Sequence, residues 1–258
     1  MSPALPASDD PVRPPRNVSR GQKAAAAVGR QRWNYLLFAH WRVDPSAVQA
    51  TLPAGLSVDT HCGAAFVGIV PFAMECVRPV GLPPLPWLSW FLELNVRTYV
   101  RDANGRRGVW FYSLDCNQPL AVAIARRFFH LPYFHARMST QFRGATIAYA
   151  CRRRHVSSPL CRYVWTPGRS ADPAAPGSLA HFLVERYLLF TTDPAGRLLE
   201  GRVEHEPYRV HTPEVAEFSC EPGRQAGFTL EGAPVSLLGA EPVDVTIFPL
   251  QPVSTLRS

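Results

Sequence analysis

Apolar and polar residues alternate most regularly between residues 91 and 101. The polar positions are Glu93, Asn95, Arg97, Tyr99 and Arg101, and the intervening, mainly apolar positions are Leu92, Leu94, Val96, Thr98 and Val100. This period of two predicts a strand with one apolar face that packs into the interior.

A hairpin is predicted directly after this strand. Asn104 and Gly105 supply the two positive φ angles of a type I′ turn, and residues 108–115 are expected to return as the antiparallel partner. Pairing around such a turn places Arg97 opposite Tyr112 and Asn95 opposite Leu114, unless a bulge shifts the register.

Short helices are predicted where a capping residue precedes a helical pattern. Asp44 with Pro45 introduces a helix over 46–52, Asn117 caps one over about 118–129, and Ser178 caps one that ends near 185. Further strands are predicted over 57–62, 64–73, 134–142, 145–152, 161–165, 187–192 and 197–205. Strands outnumber helices and no β-α-β repeat is visible. The pattern therefore favours a mainly β fold, an antiparallel barrel or sandwich with a few short helices.

The first thirty residues differ from the rest of the chain. Residues 1–30 combine proline, serine, arginine and alanine without any hydrophobic period, which predicts a disordered leader. Residues 31–258 are predicted to form a single β domain, a size that all-β folds reach without a second domain.

Composition and charge limit the classes of partner. The net charge is +7, but the chain has one lysine, Lys23, and its arginines are dispersed. The one basic run, 152–155, is expected at a solvated strand edge. Nucleic acid, which requires clustered cations, is therefore not an expected partner. The most apolar stretch, 64–74, is too short to span a bilayer, so no membrane association is expected.

Cysteine spacing and the N-terminus indicate the compartment. The six cysteines form no Cys-x-x-Cys pair and have no histidine at zinc-ligand spacing, so we expect free thiols and no metal. Phosphate-binding loops and hydrolase elbows are absent from the sequence, and no cofactor is expected. No stretch has the quality of a signal peptide, so the expected location is cytoplasmic.

Candidate chemistry is concentrated on the regular strand and at the end of the helix predicted over 118–129. Glu93, Asn95 and Arg97 share one strand face, which forms either the wall of a cavity or a solvent-facing strip with cross-strand pairs. Asp115 returns near the same strand. Arg126 lies near the C-terminus of the helix, where the helix dipole alone is sufficient reason for a cation.

An ordered series of motifs resembles the YqjF-like uncharacterised family of the acetoacetate decarboxylase-like superfamily. The motifs are His40-Trp41-Arg42-Val43, Leu52-Pro53-Ala54-Gly55-Leu56, Glu93-Leu94-Asn95-Val96-Arg97-Thr98-Tyr99-Val100, Gly108-Val109-Trp110-Phe111-Tyr112-Ser113-Leu114-Asp115, Leu131-Pro132-Tyr133 and Glu185-Arg186-Tyr187. The resemblance covers about residues 31–210. It implies an antiparallel acetoacetate decarboxylase-like β-barrel around an internal pocket, with Glu93 as the counterpart of the pocket glutamate.

The resemblance also marks a departure from the decarboxylases. Their Schiff-base lysine follows a Gly-Arg-Glu, two residues, Gly, one residue, Pro segment; here Arg126 and Pro132 match, but Tyr133 stands at the position of the lysine. An imine requires a primary amine, which tyrosine lacks, so decarboxylation through an imine is not expected.

Two functions remain open at this stage. One is a module that binds a small carbonyl or carboxylate compound without Schiff-base chemistry, and the other is a non-covalent acid/base enzyme of the lyase or hydratase type acting on a small keto acid. The catalytic candidates are Glu93 and Tyr133. The substrate-binding candidates are Asn95, Arg97, Asp115 and Arg126. The expected partner is a small-molecule ligand, and self-association into a homo-oligomer stays open.

Overall fold

The chain folds mainly into β-strands joined by short helices. The computed structural model describes residues 25–154, 158–169 and 172–253. The strands are β1 Gly29–Asn34, β2 Leu36–Val43, β3 Leu56–Val58, β4 Ala65–Pro79, β5 Phe91–Asp102, β6 Arg107–Cys116, β7 Tyr133–Arg143, β8 Thr146–Arg153, β9 Cys161–Thr166, β10 Leu188–Thr192, β11 Leu198–Glu204, β12 Val210–His211, β13 Glu214–Glu217, β14 Ser236–Ala240, β15 Val243–Ile247 and β16 Gln251–Pro252. The helices are α1 Pro45–Gln49, α2 Pro119–Phe128, α3 Leu179–Val184 and α4 Glu221–Gln225.

Part of the sheet closes on itself. Strand pairing runs from β4 through β5, β6, β10, β11, β15 and β1 and returns to β4. We call these strands the closed ring. A second layer, β7, β8, β9 and β13, continues from β6. Apolar side chains of this layer, including Tyr149 and Trp165, form a core with residues such as Leu94 and Val96 of β5.

The prediction of an antiparallel sheet is wrong, because the sheet is mixed. Strand β6 runs parallel to β7 and parallel to β10. The connection from β6 to β7 contains α2, and a crossover that contains a helix is the usual way to join parallel neighbours. The segment is therefore a β-α-β unit, which the sequence pattern did not indicate.

The predicted hairpin is present, but its turn and part of its register differ. Gly105 has a φ of +76°, whereas Asn104 is not among the described residues with positive φ, so the turn is not type I′. The Asp102 carboxylate instead accepts hydrogen bonds from the backbone N–H groups of Asn104 and Arg106 at 3.0 and 2.8 Å. Asn95 pairs with Leu114 as predicted.

A bulge changes the partner of Arg97. The register shifts between Val96 and Arg97, so that Arg97 pairs with Phe111 and Tyr112 is the extra residue. Tyr112 packs against Phe228, with ring centroids 4.8 Å apart, on the side of β6 that faces the second layer. The bulge thereby leaves Phe111 and Leu114 on the inner face of the closed ring.

The predicted helix starts are confirmed for α1 and α3 and corrected for α2. Asp44 and Ser178 cap α1 and α3 by accepting bonds from Ser46 and His181. At α2 the capping residue is Gln118, whose side chain accepts from the N–H of Leu120. Asn117 instead accepts from the N–H of Leu92 at 2.8 Å, which ties the end of β6 to the start of β5.

The predicted leader, 1–30, lies outside the described residues as far as position 24. Gly29 and Arg30 belong to β1, and they pair with Ile247 and Thr246 of β15. The chain therefore enters the sheet before residue 31. No helix among the described residues is both long enough and apolar enough to cross a membrane.

Candidate functional site

The interior of the closed ring is a cavity of about 760 Å³. Every strand of the ring contributes to its wall, for example Trp33 from β1, Phe72 from β4, Val203 from β11 and Ile247 from β15. Glu93, Arg97 and Tyr133 also line this cavity. The alternative of a solvent-facing strip on β5 is therefore wrong, since Glu93 is only 3% exposed.

Glu93 and Tyr133 form a direct pair in the cavity wall. The Tyr133 hydroxyl donates to Glu93 Oε2 at 2.6 Å, and the Asn95 side chain also hydrogen-bonds to the Glu93 carboxyl group. The Tyr149 hydroxyl approaches from the second layer and donates to the backbone oxygen of Glu93 at 2.8 Å. The position of the carboxyl group is thus fixed through both its side chain and its backbone.

Burial changes the proton affinity of this pair. Loss of hydration raises the pKa of Glu93 from its ordinary 4.5 to about 7, although the hydrogen bonds from Tyr133 and Asn95 act in the opposite direction. The pKa of Tyr133 is raised well above its usual value, first by burial and then by the adjacent carboxylate. At neutral pH Glu93 can therefore either accept or donate a proton, while Tyr133 remains a hydrogen-bond donor.

Arg97 brings a positive charge to the same cavity. Its guanidinium lies 5.3 Å from the centroid of the Phe38 ring and 5.6 Å from that of Tyr99, and it donates to the backbone oxygen of Leu183 at 3.1 Å. Its Nε is buried without a hydrogen-bond partner. In the described part of the chain no carboxylate forms an ion pair with Arg97.

Two further polar groups of the cavity were not identified from the sequence. Arg186 lines the cavity and pairs with Asp59 at 2.8 Å, and its Nη2 has no hydrogen-bond partner. Burial lowers the pKa of Arg186 to about 10. Tyr208 lines the same wall. The motif Glu185-Arg186-Tyr187 was the available signal for Arg186, whereas no pattern marked Tyr208.

Asn95, Asp115 and Arg126, the other predicted binding residues, do not line this cavity. Asp115 pairs with Arg153 at 2.7 Å on the opposite side of the sheet from Glu93, because it is opposite Leu94 in the register. Arg153 is therefore partly buried in an ion pair, and the prediction that it lies at a solvated strand edge is wrong. Arg126 lines a separate cavity of about 540 Å³, and its Nε donates to the backbone oxygen of Tyr133 at 2.6 Å. Arg126 is thus linked to the Glu93 site through the backbone oxygen of Tyr133, the first residue of β7.

Metal ligands and disulfides are not part of this site. Within 25–154, 158–169 and 172–253, no three histidine, cysteine, aspartate or glutamate side chains come together in a geometry that could hold a metal ion. All six cysteines are free thiols. The cavity wall itself presents carboxyl, phenol and guanidinium groups.

Sequence comparisons identify a family and a similar protein. A family model, DUF2071, described as an uncharacterized conserved protein, matches residues 30–244. The uncharacterized protein YqjF of Bacillus subtilis (strain 168) is 38% identical over 225 residues, which are 87% of this chain and 92% of YqjF.

Solved structures of similar fold are more distant in sequence. The enduracididine biosynthesis enzyme MppR in complex with pyruvate is 15% identical with a TM-score of 0.61, and the match covers 96% of this chain and 99% of MppR. Acetoacetate decarboxylase from Legionella pneumophila is 14% identical with a TM-score of 0.59, over 97% of this chain and 98% of the decarboxylase. An acetoacetate decarboxylase-like enzyme from Sphingomonas wittichii RW1 is 15% identical with a TM-score of 0.61, over 90% and 95%. These similarities show an acetoacetate decarboxylase-like fold, and the family match shows that the chain belongs to the DUF2071 family.

Proposed function

We propose that the protein binds a small oxo acid or related carboxylate in the cavity of the closed ring, without covalent attachment. The observation that carries this proposal is Arg97, a guanidinium that lines the cavity without a carboxylate partner among the described residues. A cation withdrawn from water is stabilised by an anion at hydrogen-bonding distance, and a carboxylate presents two oxygens to the guanidinium N–H groups. A bound carboxylate would supply that partner.

The Glu93 and Tyr133 pair forms the second part of the proposed binding site. Tyr133 stays protonated at neutral pH, and its single O–H, which donates to Glu93, is free to turn to a carbonyl oxygen of the ligand when Glu93 is itself protonated. MppR, whose fold is similar, has been solved with pyruvate bound, which supports an oxo acid as the class of ligand. A Schiff base is not part of the proposal, because Tyr133 stands in the cavity wall and a phenol cannot form an imine.

Calorimetric titration with pyruvate and acetoacetate tests this proposal. We expect Arg97→Met, which keeps the length of the side chain and removes its charge, to weaken binding at least tenfold, because charged hydrogen bonds contribute ~1.5–3 kcal/mol each. The matched control is Arg127→Met on α2, since Arg127 is exposed and does not line the cavity. Equal affinity of the wild type and Arg97→Met would refute the role of Arg97.

A second candidate function is acid/base catalysis on the same oxo acid. It is favoured by the pKa of Glu93 near 7, which allows this carboxyl group to take up and release a proton at neutral pH. Removal and return of a proton next to a carbonyl is a step that lyases and hydratases acting on oxo acids share. Glu93 would be the base, and Tyr133, whose single O–H donates to the Glu93 carboxylate, would hold that base in position.

Hydrogen exchange of the substrate separates catalysis from binding alone. Pyruvate in deuterated buffer is followed by proton NMR of its methyl group, with wild type, Glu93→Gln and Tyr133→Phe at equal concentration. Catalysis predicts exchange with the wild type that falls by at least a hundredfold in Glu93→Gln, the usual range for loss of a general base. Exchange at the rate of the buffer in all three samples, together with normal binding, would leave the protein as a binding module.

The free thiols and the composition of the chain also support a proposed cytoplasmic location. All six cysteines are unpaired, and a reducing compartment preserves thiols. Fractionation of cells that express the full chain tests this, and recovery outside the cytoplasmic fraction would contradict it.

A further inference from the structure

The cavity of the closed ring has two chemically different regions. One contains Glu93, Arg97, Tyr133 and Arg186, the polar groups described above. A second, mainly apolar region of the wall is formed by β4, by the loop that follows it, by α2 and by β1. We call this second region the apolar arm. Its wall includes Met74, Leu88, Ala121 and Ala125.

The apolar arm opens to solvent between the loop after β4 and helix α2. Leu82 and Leu85 of the loop and Ile124 and Phe128 of the helix all line the cavity, and they are 58%, 53%, 44% and 64% exposed. The loop and the helix are joined by a hydrogen bond of 3.0 Å from the Gln118 side chain to the backbone oxygen of Trp87. Exposed apolar side chains concentrated at the opening of a cavity mark a ligand-binding surface more often than chance exposure.

The size of the cavity exceeds what a three-carbon acid requires. A cavity of about 760 Å³ lies in the range that typically encloses drug-sized ligands. A molecule as small as pyruvate at the polar region would leave water against the apolar arm. An apolar tail would displace that water with a gain from every methylene.

We infer that the ligand is an amphiphilic oxo acid or carboxylate, whose head group occupies the region of Glu93, Arg97 and Tyr133 and whose apolar tail of several carbons fills the apolar arm. This inference rests on the proposed binding of a carboxylate at Arg97. It specifies the class of ligand, because short acids such as pyruvate and acetoacetate occupy only the polar region. The selection between ligands is then made by the tail, and the head group fixes the orientation.

A homologous series of ligands measures the contribution of the tail. Straight-chain 2-oxo acids from pyruvate to 2-oxododecanoate are titrated into the full chain by calorimetry. Full burial of one methylene corresponds to a gain of about fourfold in affinity, and ordering of a flexible tail reduces this to about threefold. The five extra carbons of 2-oxooctanoate should therefore give an affinity about two hundredfold above that of pyruvate.

Two variants locate the tail. Ala125→Phe places a ring in the apolar arm and should sharply lower the ratio of the affinity for 2-oxooctanoate to the affinity for pyruvate. Ala123→Phe is the matched control, because Ala123 is exposed on the same helix and does not line the cavity. Phe128→Ser, at the exposed opening, should reduce the affinity of the longest ligands only. It serves as the second variant if Ala125→Phe lowers the unfolding temperature.

The outcomes separate the inference from the proposed function. Equal affinities for pyruvate and 2-oxooctanoate would overturn the inference and leave carboxylate binding intact. A strong dependence on chain length that is unaffected by Arg97→Met would refute the head-group site at Arg97 and retain the apolar arm. Absence of binding across the whole series would overturn both.

Discussion

Ionisation of Glu93 is expected to destabilise the folded chain as the pH rises. The folded state holds the proton more tightly than the unfolded state, because burial raises the pKa of Glu93 from 4.5 to about 7. The stabilising contribution of the protonated carboxyl group is fully present below pH 4.5, and it is lost as the pH rises through 7. Glu93→Gln keeps the shape and a hydrogen-bond acceptor for Tyr133 but removes the titration.

The magnitude follows from the difference between the two pKa values. The rise in the pKa of Glu93 from 4.5 to about 7 corresponds to ~3 kcal/mol when the titration is complete. Between pH 5 and pH 8 most of that range is crossed. The free energy of unfolding of the wild type should therefore fall by about 2 to 3 kcal/mol relative to that of Glu93→Gln across this interval.

Urea unfolding at pH 5, 6, 7 and 8 measures this difference. Subtracting the free energy of unfolding of Glu93→Gln from that of the wild type removes the titration of all other groups. Glu214→Gln, an exposed glutamate of β13, is the matched control and should follow the wild type. Tyr133→Phe should move the midpoint of the Glu93 titration to higher pH, since the hydrogen bond from Tyr133 favours the carboxylate. Parallel curves for the wild type and Glu93→Gln from pH 5 to 8 would refute the reasoning.

Further predictions concern the imine, a buried ion pair and a close strand contact. Tyr133→Lys should give a borohydride-trapped adduct with acetoacetate, read by intact mass, but only in low yield, because Glu93 would lie beside the new amine and favour its charged form; an adduct on the wild-type chain at any residue beyond Lys23 and the N-terminal amine would contradict the assignment. Asp115→Ala should cost ~3–5 kcal/mol of unfolding free energy, since it leaves Arg153 without its buried partner, and the double variant with Arg153→Met should recover part of the loss. Gly108→Ala should cost ~1–3 kcal/mol, because a Cβ there would lie 2.7 Å from a backbone oxygen of β10, and an unchanged thermal midpoint would argue against that contact.

The features that could be predicted from the sequence were those with local signals. The alternation around Glu93 predicted β5, and the turn at Asn104 and Gly105 predicted its partner β6. Asp44 and Ser178 marked the starts of α1 and α3. That Glu93 and Tyr133 share one site was predicted from the resemblance in motifs, because the two residues are far apart along the chain and meet on different strands.

The features that were missed depend on long-range pairing. The parallel contact between β6 and β10 joins segments that each look like ordinary strands, so nothing local fixes their relative direction. At the bulge, Tyr112 packs against Phe228 of a distant segment, a contact that no local pattern indicates. Strands β12 to β16 are short, and their weak alternation gave no prediction at all.

The pairing of β1 with β15 makes the two ends of the described chain responsible for one wall of the cavity. Gly29 pairs with Ile247, so this contact has one of the longest sequence separations in the fold. During synthesis the edges of β1 and β11 must wait for β15 to leave the ribosome, and contacts of high sequence separation form slowly. A chain interrupted before residue 243 would therefore expose two unpaired edges and an open apolar interior, which makes premature termination a route to aggregation as well as to loss of the ligand site.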